Sequence, residues 1–517
     1  MATSVSSWRV DIDSLSFQPR DHAALCMVHR RAFGTLLGFL PRPEDCRRYF
    51  DANRAAFEQA AAAKIARANL RADANFHLTS RDVSRARGEC RDKGKGASAE
   101  SSVDSIDKAA FVSLPSVKGW CPTVFEPMAA SDGLLASLKP HVKGWSATDL
   151  RLIADAVEEH GSGRCLLTHR ANLQVRGLSS TSAAAIAAIM MSAGLVSSDA
   201  AAERRRNIFV ALSQSTESQA VAARLESWLQ SSAAPTELPA KFSFCVTASI
   251  HHEDCASADI CIHAIGNEVW VAPGGAAIGT LTPDPLAAID SLTRAFLRLA
   301  ARTRAVRRMR DLIAHVGIDT VLNEAQLSQA RLASLPPIER TRYVGALHDD
   351  RFGLGVPFGR ADVASLRAVA ALADSFADGA LRLTPQRSWV LTGLRSESIE
   401  KLWLEAQAAG FIVHDDDSRL HIAVCVGGSG CDKAQIDMHE LAKSLAPFWR
   451  SPDMLHLSGC SKGCAHPRVA ELTIVAGAPA NHFHVLRESR ADGVPERSLS
   501  AGALREYLVG FVRGRLS

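Results

Sequence analysis

The sequence predicts an α+β protein with a duplicated strand–helix–strand unit, a small N-terminal module and a cysteine-rich C-terminal region. Two segments repeat one order of elements. In each, a Leu-Thr pair is followed at the same distance by a glycine: Leu167-Thr168 with Gly177, and Leu383-Thr384 with Gly393. Four cysteines lie within residues 425–464, and a polar stretch at 85–110 separates the N-terminal module from the rest.

The bulk composition describes an ordinary globular protein rather than a fibrous, disordered or membrane-spanning one. Its 517 residues suffice for about three domains, with 47% hydrophobic and 22% charged residues. The net charge of +4 is small, and no run of about 18 strongly apolar residues is present. The N-terminus shows no secretory pattern. We therefore expect a cytoplasmic protein that has neither nucleic acid nor a membrane as a partner.

The duplication and the changes in composition predict a domain organisation. An Ala-rich helix is expected from Asp51 to Asn69 within the N-terminal module, and the polar stretch reads as a flexible linker. The predicted segments are a module at 1–84, a linker at 85–110, a first half-domain at 111–180, a first α/β domain at 181–335, a second half-domain at 336–400 and a cluster-binding domain at 401–517.

Each copy of the repeat reads strand, helix, strand and second helix, which is a βαβ-type unit with an added helix. In the first copy these elements are expected at 132–135, 146–160, 164–177 and 182–193. In the second they are expected at 352–356, 362–377, 380–393 and 397–409. Such pairs also arise by chance in α/β chains, but the matched Leu-Thr and Gly positions favour duplication. Two copies predict a pseudo-twofold arrangement with a site between them.

The segment between the copies predicts one long helix from Leu286 to Val316. Its apolar residues recur at helical spacing. Its other face is rich in arginine, including Arg294, Arg298 and Arg308. We interpret this basic face as exposed to solvent.

The four C-terminal cysteines form the strongest motif in the chain. Cys425 and Cys431 make a C-x5-C pair, and Cys460 and Cys464 make a C-x3-C pair. Four thiolates on two short glycine-rich loops suit a [4Fe–4S] cluster, because glycines let the backbone wrap a compact inorganic core. Zinc is the competing metal, but zinc ligand pairs favour spacings of two to four residues.

C-x5-C followed by C-x3-C in a duplicated chain resembles the sirohaem-dependent nitrite and sulfite reductase superfamily. Within it, the segments 118–128 and 458–467, together with Asp132-Gly133, are similar to those of the precorrin-3B synthase family. The resemblance covers about residues 111–515. It implies ferredoxin-like, sulfite-reductase-type half-domains followed by a [4Fe–4S]-binding region, with the N-terminal module outside it.

The resemblance also implies three catalytic cations in an anion pocket. They are Arg170 in Thr-His-Arg, Arg206 in Arg-Asn-Ile, and Lys241 in Leu-Pro-Ala-Lys-Phe-Ser. The family pattern has a second lysine where this chain has Ser243. A doubly charged oxyanion at a haem iron needs many cations, so this departure disfavours sulfite reduction.

A polar strand face is the predicted wall for the substrate that the resemblance implies, the polycarboxylate tetrapyrrole precorrin-3A. Alternate residues of a strand share a face, and arginine pairs bidentately with carboxylates. The alternative is an exposed strand face, and the matching face of the second copy ranks lower. The proposed binding residues are Thr168, Arg170, Asn172, Gln174 and Arg176.

The resemblance implies oxygen-dependent hydroxylation and lactone formation on precorrin-3A in aerobic cobalamin biosynthesis, with dioxygen as co-substrate. It leaves open whether sirohaem or a mononuclear non-haem iron accompanies the cluster. The alternatives are a sirohaem-dependent nitrite or sulfite reductase and a non-catalytic iron–sulfur carrier or sensor. No G-x-G-x-x-G fingerprint occurs, so we expect electrons from a separate NAD(P)H-dependent donor.

Overall fold

The computed structural model divides into two compact units, Met1–Leu114 and Pro115–Ser517. Most of the predicted linker, from residue 87 onward, lies outside the described residues, and so do residues 118–120 of the family segment. The described residues are 6–9, 14–20, 22–37, 41–68, 76–86, 121–212, 215–231, 233–247, 258–265, 268–303, 306–331, 343–348, 350–395, 399–434, 436–477 and 481–516.

The N-terminal unit is a small α/β module with its own aromatic core. Its elements are β1 (Ser7–Arg9), β2 (Ser14–Phe17), β3 (Cys26–His29), α1 (Arg30–Leu37), α2 (Pro43–Ala52), α3 (Arg54–Ala68), β4 (Phe76–Leu78) and α4 (Ser80–Ala86). The sheet order is β1-β2-β3-β4, with β4 parallel to β3. Phe17, Phe33, Phe50 and Phe57 form the buried centre. The predicted helix corresponds to α3, and Asn53 separates it from α2.

The duplicated unit forms two five-stranded antiparallel sheets. The first copy contains β5 (Met128–Ala130), β6 (Gly133–Leu138), β7 (Trp145–Ser146), α5 (Ala147–His160), β8 (Arg164–Leu167), β9 (Leu173–Leu178) and α6 (Ser180–Ser192). Strand β9 pairs antiparallel with both β6 and β8, so the βαβ unit is split by a third strand. This is the ferredoxin-like arrangement.

A six-stranded sheet with helices follows the first copy. Its elements are α7 (Ala200–Arg205), β10 (Ile208–Val210), α8 (Thr216–Gln230), β11 (Phe244–Thr247), β12 (Ile260–Ile265), β13 (Glu268–Pro273), β14 (Ile278–Thr282), α9 (Pro285–Arg302), α10 (Met309–Val316), α11 (Ile318–Glu324) and β15 (Ala330–Arg331). The strands lie in sequence order, the first three parallel. The prediction of one helix from Leu286 to Val316 is wrong, because Thr303 takes extended geometry after α9 and a new helix begins at Met309.

The second copy repeats the first, element by element. It contains β16 (Gly345–Leu347), β17 (Arg351–Gly355), β18 (Arg360–Asp362), α12 (Val363–Phe376), β19 (Ala380–Leu383), β20 (Ser388–Thr392) and α13 (Ile399–Ala408). The two sheets have the orders β18-β8-β9-β6-β5 and β16-β17-β20-β19-β7. Interchanging the copies turns one order into the other, which is the predicted pseudo-twofold relation.

The two copies exchange the short strand that precedes their first helix. Strand β7 pairs with β19, with Trp145 opposite Leu381, and β18 pairs with β8, with Ala361 opposite Cys165. The rings of Trp145 and Trp389 lie 6.1 Å apart in a core that both copies share. Neither copy therefore closes its own sheet, and both fold around one hydrophobic interior.

The segment predicted as a single strand at 164–177 is instead a hairpin. The chain reverses at residues 168–172, where the Thr168 hydroxyl accepts hydrogen bonds from the backbone N–H groups of Arg170 and Asn172. Ala171 adopts a positive φ of 53° there. This turn contains neither glycine nor proline, so its sequence resembles a continuing strand. The prediction that Thr168, Arg170 and Asn172 share a strand face with Gln174 and Arg176 is therefore wrong.

The C-terminal region is a five-stranded sheet that supports the cysteine loops. Its elements are β21 (Ile422–Val424), α14 (Met438–Leu445), β22 (Leu455–Ser458), β23 (Ala470–Ala476), β24 (His482–Ser489), β25 (Arg497–Ser500) and α15 (Ala501–Leu516). Strands β21, β22 and β23 are neighbouring and parallel. No helix within the described ranges is long and apolar enough to cross a membrane.

Candidate functional site

A large cavity of about 1160 Å³ lies where the two copies meet the six-stranded and C-terminal sheets. Its volume exceeds the range of about 300–1000 Å³ that is usual for small-molecule pockets. The turn of the first copy borders it through residues 169–172, and the turn of the second copy through 385–387. The C-terminal sheet contributes residues 419–423 and 466–471. The two copies, the six-stranded sheet and the C-terminal sheet therefore all border this cavity.

The cavity wall is strongly basic. Three acidic residues, Asp453, Glu471 and Glu488, lie on the wall as well. The cations outnumber them, so the cavity suits an anionic ligand. The basic residues on the wall are Lys139, Arg170, Arg206, Arg308, Arg310, Arg382, Arg387, Arg419 and Arg468.

Arg170 lies on this wall with its charge available. Its guanidinium donates one hydrogen bond, from Nη2 to the backbone oxygen of Lys241 at 3.1 Å. No carboxylate among the described residues forms an ion pair with it. Burial lowers the pKa of Arg170 from its ordinary value. A buried cation without a carboxylate partner is expensive unless a ligand supplies one, so Arg170 is well placed to bind a substrate carboxylate.

Arg206 is held differently, because its guanidinium is fully engaged inside the protein. It pairs with Glu203 at 3.0 Å and with Glu226 at 3.2 Å. It also donates to the backbone oxygens of Lys139 and Pro140. Its side chain is 1% exposed and that of Glu203 is 0% exposed. The structure therefore gives Arg206 a structural role in the wall, whereas the resemblance implies a catalytic one.

Lys139 lies beside this network and is also buried. Its ammonium donates to the backbone oxygens of Glu203 and Arg204, at 2.6 and 3.2 Å. Burial, opposed by the Glu203 carboxylate, lowers the pKa of Lys139 to about 8. The ammonium therefore fixes the segment that carries Arg206 through backbone contacts.

The predicted substrate-binding residues separate into two groups. Arg170 and Asn172 lie on the cavity wall. The Thr168 hydroxyl closes the turn instead. Gln174 and Arg176 lie on β9 and do not border the cavity.

Arg176 contacts the cysteine loop and does not border the cavity in which a substrate would bind. Its guanidinium forms a bidentate pair with Asp132, at 2.8 and 2.9 Å, and donates to the backbone oxygen of Gly430 at 2.7 Å. It also donates to Gln174 at 3.3 Å. Gly430 immediately precedes Cys431, so this contact ties the first half-domain to the C-x5-C loop.

The sheet explains why the two cysteine pairs meet. Cys425 follows β21 directly, and Cys460 comes two residues after β22. These strands are parallel neighbours, with Val424 opposite Leu457, so their carboxyl ends lie side by side. Burial, with smaller contributions from the nearby Cys460 and Cys464, raises the pKa of the Cys425 thiol to about 11, against the opposing effect of the Gly459 and Gly427 N–H groups.

The pKa of Cys464, in the second cysteine pair, also indicates that the two pairs lie close together. Desolvation raises the pKa of the Cys464 thiol, although this residue reaches the surface. Lys462 and Lys241 oppose that rise, whereas Cys460 and Cys431 add to it. Cys464 therefore lies close enough to each of the other three thiols to interact with it electrostatically. Among the described residues, no set of three His, Cys, Asp or Glu side chains is arranged to hold a single metal ion.

The loops have the features that a [4Fe–4S] cluster requires. The backbone N–H of Gly459 donates to Cys425 Sγ at 3.1 Å, and such amide-to-sulfur bonds stabilise thiolates. Gly427 and Gly463 have φ angles of 73° and 61°, which favour glycine. A Cβ on Gly459 would lie 2.3 Å from Ala434 Cβ. The residues present therefore fit a cluster ligated by Cys425, Cys431, Cys460 and Cys464.

Gly459→Ala is expected to reduce the iron and acid-labile sulfide content several-fold. Its new methyl group would force the loop before Cys460 away from Ala434, which follows Cys431 closely in sequence. Close-packed interiors cannot absorb such an overlap without displacement. The matched control is Gly502→Ala in α15, where a Cβ meets nothing within 4 Å. Equal iron content in both variants would contradict the tight apposition of the two loops.

Lys241 and Ser243, two residues apart in sequence, have different surroundings. The Lys241 ammonium is near Cys464, where it lowers the thiol pKa. Ser243 borders the cavity, and its N–H and hydroxyl donate to the Asp259 carboxylate at 2.9 and 3.4 Å. Asp259 in turn pairs with Arg308 at 3.0 Å. Where the family pattern has a second lysine, this chain therefore has a hydroxyl held by an acid.

Several cavity arginines were not predicted from the sequence. Arg308 and Arg310 border the cavity because the helix breaks before Met309. Arg294 and Arg298, in contrast, pair with acidic residues at the surface, as the sequence predicts. The second copy also contributes Arg382 and Arg387, which had ranked lower. The duplication is the sequence feature that could have identified the second-copy arginines, because a site between two copies is expected to use the hairpin turns of both.

Comparisons with known proteins agree with this architecture. Residues 140–193 and 349–409 each match the family described as the nitrite/sulfite reductase ferredoxin-like half domain. A solved structure of the Mycobacterium tuberculosis NirA protein matches with a TM-score of 0.59 and 16% identity, covering 74% of this chain and 80% of that one. The predicted α+β fold with duplicated half-domains is confirmed.

Two curated relatives are similar over most of their length. A precorrin-3B synthase from Sinorhizobium sp is 28% identical, over 73% of this chain and 84% of that protein. A ferredoxin–nitrite reductase from Synechococcus elongatus is 26% identical, over 63% of this chain and 73% of that protein. Two segments of the chain therefore resemble the half domain of nitrite and sulfite reductases, and the chain is similar in sequence to precorrin-3B synthase.

Proposed function

We propose that this chain is an oxidoreductase of the precorrin-3B synthase type, acting in the cytoplasm on precorrin-3A with dioxygen. The observation that supports this most is the basic cavity of about 1160 Å³ beside the cysteine loops. A tetrapyrrole with many carboxylates needs a large site with several separated cations. A non-catalytic electron carrier needs no such cavity.

The proposed reaction adds one oxygen atom of dioxygen to the macrocycle, and an acetate side chain then closes to a lactone. The second oxygen atom leaves as water, which takes two electrons and two protons. A [4Fe–4S] cluster supplies single electrons when it is bound. A separate NAD(P)H-dependent protein supplies them to the cluster in this proposal.

The chain's own residues bind and orient the substrate. Arg170 offers a fork to a carboxylate from the first turn, and the second copy extends the basic wall through Arg382 of β19 and Arg387 of its turn. Arg382 Nη2 donates to the backbone oxygen of Val142 at 3.1 Å, which holds this side chain across the copies. Residues from both copies thus surround one ligand, as a site between duplicated halves requires.

A sirohaem-dependent nitrite or sulfite reductase is the second candidate, favoured by the similarity to the nitrite reductase of Synechococcus elongatus. In that case the cavity would hold sirohaem, whereas in the first proposal a mononuclear non-haem iron could accompany the cluster instead. Ser243, which stands where the family pattern has a second lysine, disfavours a small dianionic substrate, because the cavity has one cation fewer at that position.

The deciding experiment supplies the purified protein with precorrin-3A, a reduced electron donor and isotopically labelled dioxygen. The expected product gains one labelled oxygen atom, measured by mass spectrometry. Arg170→Gln is expected to raise the KM for precorrin-3A by about tenfold, because one charge-assisted bond to a carboxylate is lost. Arg294→Gln, on an exposed surface pair, is the matched control and should leave the KM unchanged.

The contrary result is equally specific. Reduction of nitrite or sulfite by the same preparation, with precorrin-3A unchanged, would establish the reductase. A product whose added oxygen comes from water would contradict the proposed use of dioxygen.

A further inference from the structure

The two hairpin turns that border the cavity have the same backbone but different side chains. In each, a threonine hydroxyl accepts the N–H of the residue four positions later, Asn172 in the first copy and Ser388 in the second. The residue that precedes this N–H donor has a positive φ in both copies, 53° at Ala171 and 62° at Arg387. Non-glycine residues adopt this geometry at a cost. One copy therefore has a methyl group where the other has a guanidinium.

Arg387 joins the two turns to the cysteine loop. Its Nη2 donates to His169 Nε2 of the first turn at 2.7 Å and to the backbone oxygen of Ala465 at 3.0 Å. Ala465 immediately follows Cys464. Three separate parts of the chain thus meet at this one guanidinium.

The charge of Arg387 has no counter-charge among the described residues. None of their carboxylates pairs with it, and its Nε has no hydrogen-bond partner there. Burial alone lowers the pKa of Arg387 to about 10. A buried cation of this kind calls for an anion nearby, and a cluster ligated by four thiolates is an anion.

The fold makes room for this side chain at Gly359. A Cβ on Gly359 would lie 2.4 Å from Arg387 Cδ and 3.2 Å from the backbone oxygen of Leu167. Gly359 also has a φ of 70°. The Arg387 side chain therefore occupies space next to Gly359 that any larger residue at position 359 would fill.

We propose that Arg387 is a positioning residue that clamps the Cys464 loop to the duplicated turns and raises the reduction potential of the cluster on that loop. This inference rests on the cluster of the proposed function and not on its substrate. Reduction adds one electron to the cluster, so a fixed positive charge nearby stabilises the reduced form. In general, a unit charge acting over about 10 Å at an effective dielectric constant of about 20 changes such an equilibrium constant by roughly tenfold.

The test is an anaerobic redox titration of the full-length protein, with the reduced cluster followed by electron paramagnetic resonance. Arg387→Gln is expected to lower the equilibrium constant for reduction by about tenfold, equivalent to about 59 mV for one electron. Arg387→Lys keeps the charge and should stay close to wild type. Arg382→Gln removes another buried cavity arginine, which donates to Val142 rather than to the cysteine loop, and should change the potential far less.

Each outcome decides a different question. Equal potentials in wild type and Arg387→Gln would overturn the inference and leave the proposed function intact. An equal fall in Arg387→Gln and Arg382→Gln would mean that no specific clamp exists. If Arg387→Gln does not fold, Gly359→Ala displaces the same side chain and is expected to lower the potential in the same direction. A wild-type protein without iron and sulfide would overturn both proposals.

Discussion

Cys425→Ala is expected to abolish the iron–sulfur cluster, lowering bound iron and acid-labile sulfide by about tenfold or more. The Cys425 thiol directly follows β21, accepts the N–H of Gly459 and lies near the second cysteine pair. Because metal binding and folding are coupled, the melting temperature should fall as well. The measurement is iron and sulfide per chain after anaerobic purification, with the absorption near about 400 nm.

The matched control is Cys121→Ala. Cys121 is a free, partly exposed cysteine in the same unit, outside both cysteine pairs. It should keep wild-type iron and sulfide, which separates loss of a ligand from loss of any thiol. Full iron and sulfide in Cys425→Ala would remove the basis for the four-cysteine assignment. Zinc without sulfide in the wild type would replace the cluster with the competing metal.

Arg206→Ala is expected to lower the free energy of unfolding by about 3–5 kcal/mol. The substitution leaves the fully buried Glu203 carboxylate without its cation and releases the bonds to two backbone oxygens. An uncompensated buried charge costs far more than a lost surface pair. The measurement is the urea midpoint of the larger unit, followed by tryptophan fluorescence and compared with wild type.

The neighbouring Arg204 offers a control on the same segment. Its pair with Glu126 is partly exposed, so Arg204→Ala should change the free energy of unfolding by about 1 kcal/mol or less. Unchanged stability of Arg206→Ala, together with lost turnover, would instead support the catalytic role that the family resemblance implies. The two readings of Arg206 thus predict opposite results from one pair of variants.

Local features of the chain were sufficient for the duplication and the cysteine motif. The repeated Leu-Thr and Gly positions correspond to the hairpins of two equivalent sheets, since each threonine closes a turn. The spacing of the cysteines matches loops that leave parallel neighbouring strands. Both patterns arise from short-range backbone geometry, which sequence spacing records directly.

The hairpin turns themselves were missed for a local reason as well. The first turn relies on a threonine hydroxyl and an alanine at positive φ, without the glycine that marks most such turns. The helix break before Met309 was missed because Thr303 and its neighbours are acceptable in a helix. In both places, tertiary contacts override weak local preferences.

The sequence by itself determined the fold class, the two copies and the spacing of the four cysteines, whereas Arg170 was predicted through the family resemblance. Only the tertiary structure decided that β7 and β18 exchange sheets. It also decided that the Arg206 guanidinium pairs with Glu203 and Glu226, and that the Arg387 side chain reaches the cysteine loop. Apart from the Arg206–Glu203 pair, which is three residues apart in sequence, these facts depend on contacts between residues far apart in the chain. Motif spacing reports which side chains are near in the chain, whereas packing decides which charges find a partner and which remain for a ligand.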